Sequence, residues 1–327
     1  MTVLVTGGAG YIGAHVVRLL VEDGRDVVVV DDLSAGTAER VGGAELVRLD
    51  VAAAGAAEVL GNVVRRRGVS EVVHFAARKR VDESVADPLR YYRENLDGLA
   101  AVLDAAVAHG VRSVVFSSSA AVYGDVASGL VREDAATSPV NPYGRTKLVG
   151  EWMLRDVAAT GALRGTALRY FNVAGAGWPD LGDPAVANLV TLVLDALRRG
   201  ERPVVLGTDY PTSDGSGVRD YVHVLDLARA HVAALDAMAG DGEPYRCYNV
   251  GTGVGTSVLQ VIHGLAEVTG IPVDPVLAGR RAGDPAEVVA DPAAIGRELG
   301  WHAREPLSAV LASAWSAWQH AQATASR

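Results

Sequence analysis

An α/β fold is predicted, with a doubly wound parallel sheet followed by a second, smaller mixed α/β domain. Three observations predict it. Short, nearly all-apolar runs alternate with helical patterns through the first half of the 327 residues, as parallel strands covered on both faces do. A glycine-rich turn follows the first run and opens a helix. The β-α rhythm then breaks near residue 174, where Gly, Pro and Asp become frequent.

The elements follow in order. Val3-Leu4-Val5 reads as the first strand and 11–23 as the first helix. Strands are expected from Val27 to Val30 and from Glu45 to Leu49, then a helix near 54–67 whose Arg65-Arg66-Arg67 end is a solvated last turn. The strand ending Val72-Val73-His74-Phe75 leads into one long helix over about 88–109. Strand Val114-Val115-Phe116, a helix over 142–160 and a strand from Thr166 to Tyr170 complete the repeat. Beyond it, helices near 185–199, 226–239, 256–269 and 306–322 are joined by loops. The expected domains are 1–175, to which part of 220–250 returns, and 176–327.

Composition narrows the function classes. A net charge of −9 argues against an extended nucleic-acid surface. The single cysteine, Cys247, excludes an internal disulfide and a Cys-rich metal site. No apolar stretch reaches membrane-spanning length, and no basic segment precedes an apolar one at the start. A cytoplasmic protein with no membrane partner and no metal is expected. Only two of the 30 basic residues are lysines, Lys79 and Lys147. Arginine replaces lysine where a surface charge suffices, but not where a compact ammonium must fit.

The glycine turn has the spacing G-x-x-G-x-x-G, at Gly7, Gly10 and Gly13. Between a strand and a helix, such a turn lets backbone approach a pyrophosphate and aims a helix N-terminus at its charge. The fold is therefore of Rossmann type. Asp31 and Asp32 end the second strand. An acid there accepts from a ribose hydroxyl and repels a 2′-phosphate, which favours NAD over NADP. Asp50, with Val51 at the end of the third strand, has two readings: a contact to the adenine, or a helix N-cap.

Asn141-Pro142-Tyr143 reads as a helix start, which puts Tyr143 and Lys147 on one face one turn apart. Tyrosine titrates near 10 and is a weak base until a cation favours its phenolate. Lys147 is expected to supply that cation. Ser117-Ser118-Ser119 follows its strand at the same sheet edge and offers a hydroxyl to the substrate oxygen.

Glycine turn, strand-end serine and Tyr-x-x-x-Lys together resemble the extended short-chain dehydrogenase/reductase superfamily. The strings GGAGYIGAH (7–15), VDDLS (30–34), ESVADPLRYYREN (83–95), SSSAAVYGD (117–125), RYFNVAGA (169–176) and DYPTSDGSGVRDYVHVLDLA (209–228) resemble the UDP-glucose 4-epimerase family within it, over essentially the whole chain. The resemblance implies Tyr143 as base and acid, Ser119 as its hydroxyl partner, and Lys147 on the nicotinamide ribose. It implies an NAD site formed by Gly7, Gly10, Tyr11, Ile12, Gly13, Asp31, Asp32, Leu33, Ser34, Asp50, Val51, Phe75, Ala76, Ala77, Lys79, Asn95, Ser117, Tyr170 and Phe171. It implies that Asn172, Asn188, Leu189, Arg219, Tyr221, Arg281, Asp284 and Val288 hold a UDP-sugar, and that the long helices of two copies pair in a homodimer.

Three positions depart from the family pattern. Ala121 stands where a threonine is common, Ala77 where glycine is usual, and Val288 where a tyrosine would narrow the sugar pocket. Room beside Val288 implies tolerance of an N-acetyl group. A nucleotide-sugar dehydratase would need an acid and a base where Ala120 and Ala121 stand. A non-catalytic NAD sensor would not need to keep both Tyr143 and Lys147.

Overall fold

The computed structural model describes residues 1–126, 129–240, 242–281 and 284–325. The first half lays down β1 (Thr2–Thr6), α1 (Tyr11–Glu22), β2 (Asp26–Asp31), β3 (Glu45–Arg48), α2 (Ala56–Arg67), β4 (Val69–His74), α3 (Val81–Ala86), α4 (Pro88–Tyr92), α5 (Gly98–Ala108) and β5 (Ser113–Ser117). It continues with β6 (Leu130–Val131), α6 (Pro142–Ala159), β7 (Arg164–Tyr170) and β8 (Asn172–Ala174). After these come α7 (Leu189–Arg198), β9 (Val204–Leu206), β10 (Val218–His223), α8 (Val224–Ala237), β11 (Tyr245–Val250) and β12 (Gly255–Ser257). The chain ends with α9 (Val258–Thr269), β13 (Val276–Ala278), β14 (Glu287–Ala290), α10 (Ala293–Leu299) and α11 (Leu307–Ala325).

Seven parallel strands form the main sheet, in the order β11-β7-β5-β4-β1-β2-β3. Their side chains are buried on both faces. Val16, Val17 and Leu20 of α1 and Leu227, Ala228 and Leu235 of α8 cover one face. Leu60 and Val64 of α2, Leu99 and Leu103 of α5, and Leu154 of α6 cover the other. At ~25 cal/mol per Å², each such leucine contributes roughly 1.5–3 kcal/mol, which makes this double-sided core the main support of the fold.

The rest packs around a second core, where Val190 and Leu194 of α7, Ile262 of α9 and Leu311 of α11 enclose Tyr221 of β10. A smaller sheet, β12-β10-β14-β6 with β8 on β10, links this core to the main sheet's carboxyl edge. The sequence predicts a mixed α/β domain here but places only its helices, with loops between them. Strands of two to six residues carry too few alternations to stand out in a sequence.

The short helices α3 and α10 match no expected element, and two expected helices differ in their bounds. The helix at 185–199 begins at Leu189, because Asn188 caps it in a capping box with Thr191. The helix expected over 88–109 is α4 and α5 joined through a π-helical turn at Arg93–Asp97. The cause is Asn95, whose amide is drawn inward. Its Oδ1 accepts from Arg78 N at 2.7 Å, and its Nδ2 donates to Arg78 O at 3.1 Å and to Thr146 Oγ1 at 3.0 Å. π-turns of this kind concentrate at functional sites.

Candidate active site

The strand order reverses between β1 and β4, which opens a crevice at the carboxyl edge of the sheet. A cavity of about 450 Å³ lies there. Of the expected cofactor residues, Gly7, Gly10, Tyr11, Ile12, Gly13, Asp31, Asp32, Ser34, Asp50, Val51, Phe75, Ala76, Ala77, Lys79, Tyr143, Lys147 and Tyr170 line it. Leu33, Asn95, Ser117 and Phe171 do not. Arg78, Arg80, Glu83, Glu94, Gly36 and the stretch from Pro184 to Ala187 also line it, and the sequence reading had passed over all of these. Gly36 was findable, since it follows Ser34 by two residues; the 184–187 stretch carried no chemical signal.

Close backbone approach makes the glycine cradle. A Cβ at Gly13 would lie 2.2 Å from the Gly7 carbonyl oxygen, and one at Gly36 would lie 2.0 Å from the Ala9 oxygen. Neither is tolerable without moving backbone. Gly10 caps α1 with no side-chain bond, so no side chain blocks the helix N-terminus. Asp31 is 7% exposed; its Oδ2 accepts from Ala9 N at 2.9 Å and its Oδ1 from Leu33 N at 2.8 Å. Burial raises its pKa. Each oxygen keeps a lone pair for a further donor. Leu33 is the only described non-glycine residue with positive φ, at 61°. It faces the core and helps shape the turn that presents Asp31.

Asp50 takes the Ala52 N–H at 2.9 Å and lines the cavity. The helix-cap alternative fails, because α2 starts after Gly55 with no side-chain cap. Tyr11 faces the cavity but spends its hydroxyl on the Gly175 carbonyl at 2.5 Å, which ties α1 to the stretch after β8. Lys79 is exposed at the cavity rim.

Asn141 caps α6 through Gly144 N at 2.8 Å, and Pro142 fixes the first turn. This start sets Tyr143 and Lys147 facing the end of β5. Both are buried, at 8% and 4% exposure. Lys147 Nζ donates to Ser117 O at 2.8 Å, and lies 5.0 Å from the Phe116 ring centre and 5.9 Å from that of Tyr143. Ser117 Oγ pairs with Tyr170 OH at 2.5 Å, so Ser117 serves the site by its carbonyl.

The expected lowering of the tyrosine pKa by Lys147 is not found. Burial raises Tyr143, and only the hydrogen bond with Ser119 opposes it. Burial also pushes Lys147 down, to about 7, with Glu151 acting to raise it. Two desolvated groups therefore share this pocket, with Lys147 Nζ 5.9 Å from the centre of the Tyr143 ring.

The residues expected to hold the nucleotide-sugar lie outside the cavity, except for Tyr143. Arg219 and Tyr221 sit on β10, and Val288 pairs with Arg219 across β10 and β14. Arg219 and Asp284 form a long ion pair, 3.9 Å apart. Burial raises Tyr221 to about 12. Val288 packs with Ala120 around the cluster that contains Phe171 and Val122. Arg281 and Asn172 are exposed. Asn188 is committed elsewhere, with its Oδ1 on Thr191 N at 3.1 Å and its Nδ2 on Asp183 at 2.9 Å. Leu189 is half-buried beside it.

A glycine cradle with an acid at the end of β2, opening onto a buried Tyr-x-x-x-Lys pair, fits a dinucleotide beside an oxidisable carbon. Residues 3–251 match the NAD dependent epimerase/dehydratase family. The chain belongs to that family. Among members of this family, it is 46% identical over 324 residues to the UDP-glucose 4-epimerase of Azospirillum brasilense, covering 97% of this chain and 91% of that one. It is 42% identical to that of Corynebacterium glutamicum, covering 97% and 95%. The UDP-glucose-4-epimerase of Stenotrophomonas maltophila, solved with bound NAD and formylated UDP-arabinopyranose, superposes with a TM-score of 0.94 at 41% identity over 99% of both chains. The Bifidobacterium longum enzyme, solved with NAD+ and UDP, gives 0.90 at 37% identity over 98% of both. NAD is the cofactor of this family. Among the described residues, no His/Cys/Asp/Glu group is placed to hold a metal and no helix is long and apolar enough to cross a membrane.

Proposed function

We propose that this chain is a UDP-glucose 4-epimerase, which inverts C4 of a UDP-hexose through a 4-keto intermediate. One observation carries the reading: Tyr143 opens with Lys147 into the cavity lined by the glycine cradle. The glycine cradle and Asp31 would hold NAD, which would supply a reversible hydride acceptor for C4. Tyr143 takes the 4-hydroxyl proton and gives it back, while Ser119 orients that hydroxyl. Lys147 holds a ribose hydroxyl and stabilises the phenolate. Arg219 and Arg281 are assigned to the diphosphate, as guanidinium forks suit its oxygens, and Asp284 to the uridine ribose. These assignments leave the hexose sparsely held, so that it can turn over between the two hydride transfers.

Two further parts belong to this reading. Residues 1–175, with α8 and β11, form the NAD-binding unit and the remainder the nucleotide-sugar unit. The enzyme is a cytoplasmic homodimer in which α4, α5 and α6 pair with their copies, supported by the exposed Leu89 and Trp152 on α4 and α6. A dehydratase reading is disfavoured, since Ala120 and Ala121 offer no acid or base beside Ser119. The test is to incubate the purified chain with UDP-glucose, UDP-N-acetylglucosamine and UDP-xylose and resolve the products by NMR. A 4-epimer must form from at least one.

A further inference from the structure

Helix α6 carries three buried ionisable side chains on one stripe: Tyr143, Lys147 and Glu151. The first two are the reacting pair proposed above, and Glu151 has no part in that reading. It is 3% exposed and takes a two-point fork from Arg169 on β7, Nε to Oε1 at 2.9 Å and Nη2 to Oε2 at 2.6 Å. The Ser118 hydroxyl donates to the same carboxylate. Arg169 Nη1 is held in turn by Tyr123 OH at 2.9 Å and the Glu133 carbonyl at 3.1 Å, and Tyr123 donates to Asn249 Oδ1 at 2.6 Å.

A buried ion pair is a poor source of stability, because desolvation cancels much of its attraction. This one touches the catalytic turn. Ser118 lies between Ser117, whose carbonyl receives the Lys147 ammonium, and Ser119, whose hydroxyl acts to lower the Tyr143 pKa. We propose that Glu151, locked by Arg169, is a positioning residue: it fixes the Ser117–Ser119 turn and biases the proton shared by Tyr143 and Lys147 toward Lys147. The proposal rests on the reading of Tyr143 and Lys147 as the reacting pair.

When that pair has lost one proton, it exists either as phenol with amine or as phenolate with ammonium. The two forms have equal charge, so pH does not choose between them and the local field does. A carboxylate one turn from Lys147 and two turns from Tyr143 favours the ammonium form, which is the one that catalyses. Without it, burial of both groups favours phenol with amine. The other groups facing Lys147 supply no anion. They are His74 from β4, held neutral by burial at about 3, and the Tyr170 phenol from β7, which burial pushes up. Around Glu151 stand Arg169 and Tyr123, Tyr245 and Cys247 of β11, both pushed up by burial, and Glu133 and Arg155 further out.

The test is the pH profile of kcat for the NAD-loaded enzyme. Glu151→Gln keeps an acceptor for Ser118 and removes the charge. The pair then loses its first proton more easily, and less of it is phenolate. The plateau is expected to fall about tenfold or more, and the acid limb to move down by about one pH unit. Glu151→Asp retains the charge and keeps the limb closer to that of the parent. A limb that stays in place in Glu151→Gln, whatever happens to the plateau, overturns the proposal. Should Glu151→Gln not retain NAD, Ser118→Ala carries the test. It is expected to lower kcat with the limb unmoved, and an unchanged kcat or a moved limb overturns the proposal. Failure of the underlying reading would show separately, as a parent enzyme without epimerase activity or an active Tyr143→Phe.

Discussion

The Lys147 ammonium lies 5.9 Å from the centre of the Tyr143 ring and donates to the Ser117 carbonyl at 2.8 Å, with both side chains buried. A single nitrogen makes this contact, 5.0 Å from the Phe116 ring centre. A planar guanidinium needs more room and more acceptors. Lys147→Arg is therefore expected to lower kcat by about 10²–10⁴-fold, the usual scale of a lost proton-transfer arrangement. Steady-state kinetics on protein with measured NAD content check this.

Gly36 is a second test of geometry. Its Cβ would overlap the Ala9 carbonyl at 2.0 Å, while Gly240 has nothing within 4 Å of the same point. Gly36→Ala is expected to displace the cofactor turn and weaken NAD retention at least about tenfold, equivalent to about 1.4 kcal/mol. Gly240→Ala should change stability by less than ~0.5 kcal/mol. Cofactor content after gel filtration and thermal melts compare the two.

Acid should destabilise the fold through buried neutral histidines. His15 and His231 are pushed down to about 4 and His74 to about 3, chiefly by burial. Their folded values lie below the ordinary value near 6.5, so the unfolded chain binds more protons in between. Their contribution is intact above about pH 6.5 and is lost as pH falls toward the folded values. When fully titrated, His15 and His231 are each worth roughly 3 kcal/mol and His74 roughly 5 kcal/mol. The carboxyls of Asp31 and Asp220, raised by burial, act in the opposite sense. Melting temperature is expected to fall steeply between pH 7 and pH 5, and a flat profile would contradict these environments. His15→Gln should soften the fall, because His15 Nε2 accepts from Gly177 N at 2.9 Å only while unprotonated.

Val288 sits beside the Phe171 cluster and opposite Arg219. On the proposed reading it leaves space at the sugar, so UDP-N-acetylglucosamine should be epimerised. Val288→Tyr should lose that activity and keep UDP-glucose turnover. Absence of N-acetyl turnover by the parent at high enzyme concentration would refute the space argument.

The main sheet was legible because its strands are buried on both faces and read as unbroken Val-rich runs, as in Val27 to Val30. The cradle and the Tyr143–Lys147 pair were legible because tight turns and helix periodicity tie chemistry to fixed spacing. The small sheet was not, because strands as short as Leu130–Val131 have no period to detect. The capping role of Asn188 was hidden for a related reason: its amide serves α7, and a capping box is visible only once the helix start is placed. Glu151 lay in plain view one turn after Lys147, but its partner Arg169 is distant in sequence, and only folding joins them.

The central claim is that Tyr143 moves the proton of a UDP-sugar 4-hydroxyl. The most direct measurement is NMR of UDP-glucose incubated with the parent and with Tyr143→Phe, each carrying NAD. The predicted result is a mixture of UDP-glucose and UDP-galactose with the parent, and unchanged substrate with a folded, NAD-loaded Tyr143→Phe. Turnover by Tyr143→Phe at the parent's rate would contradict the account.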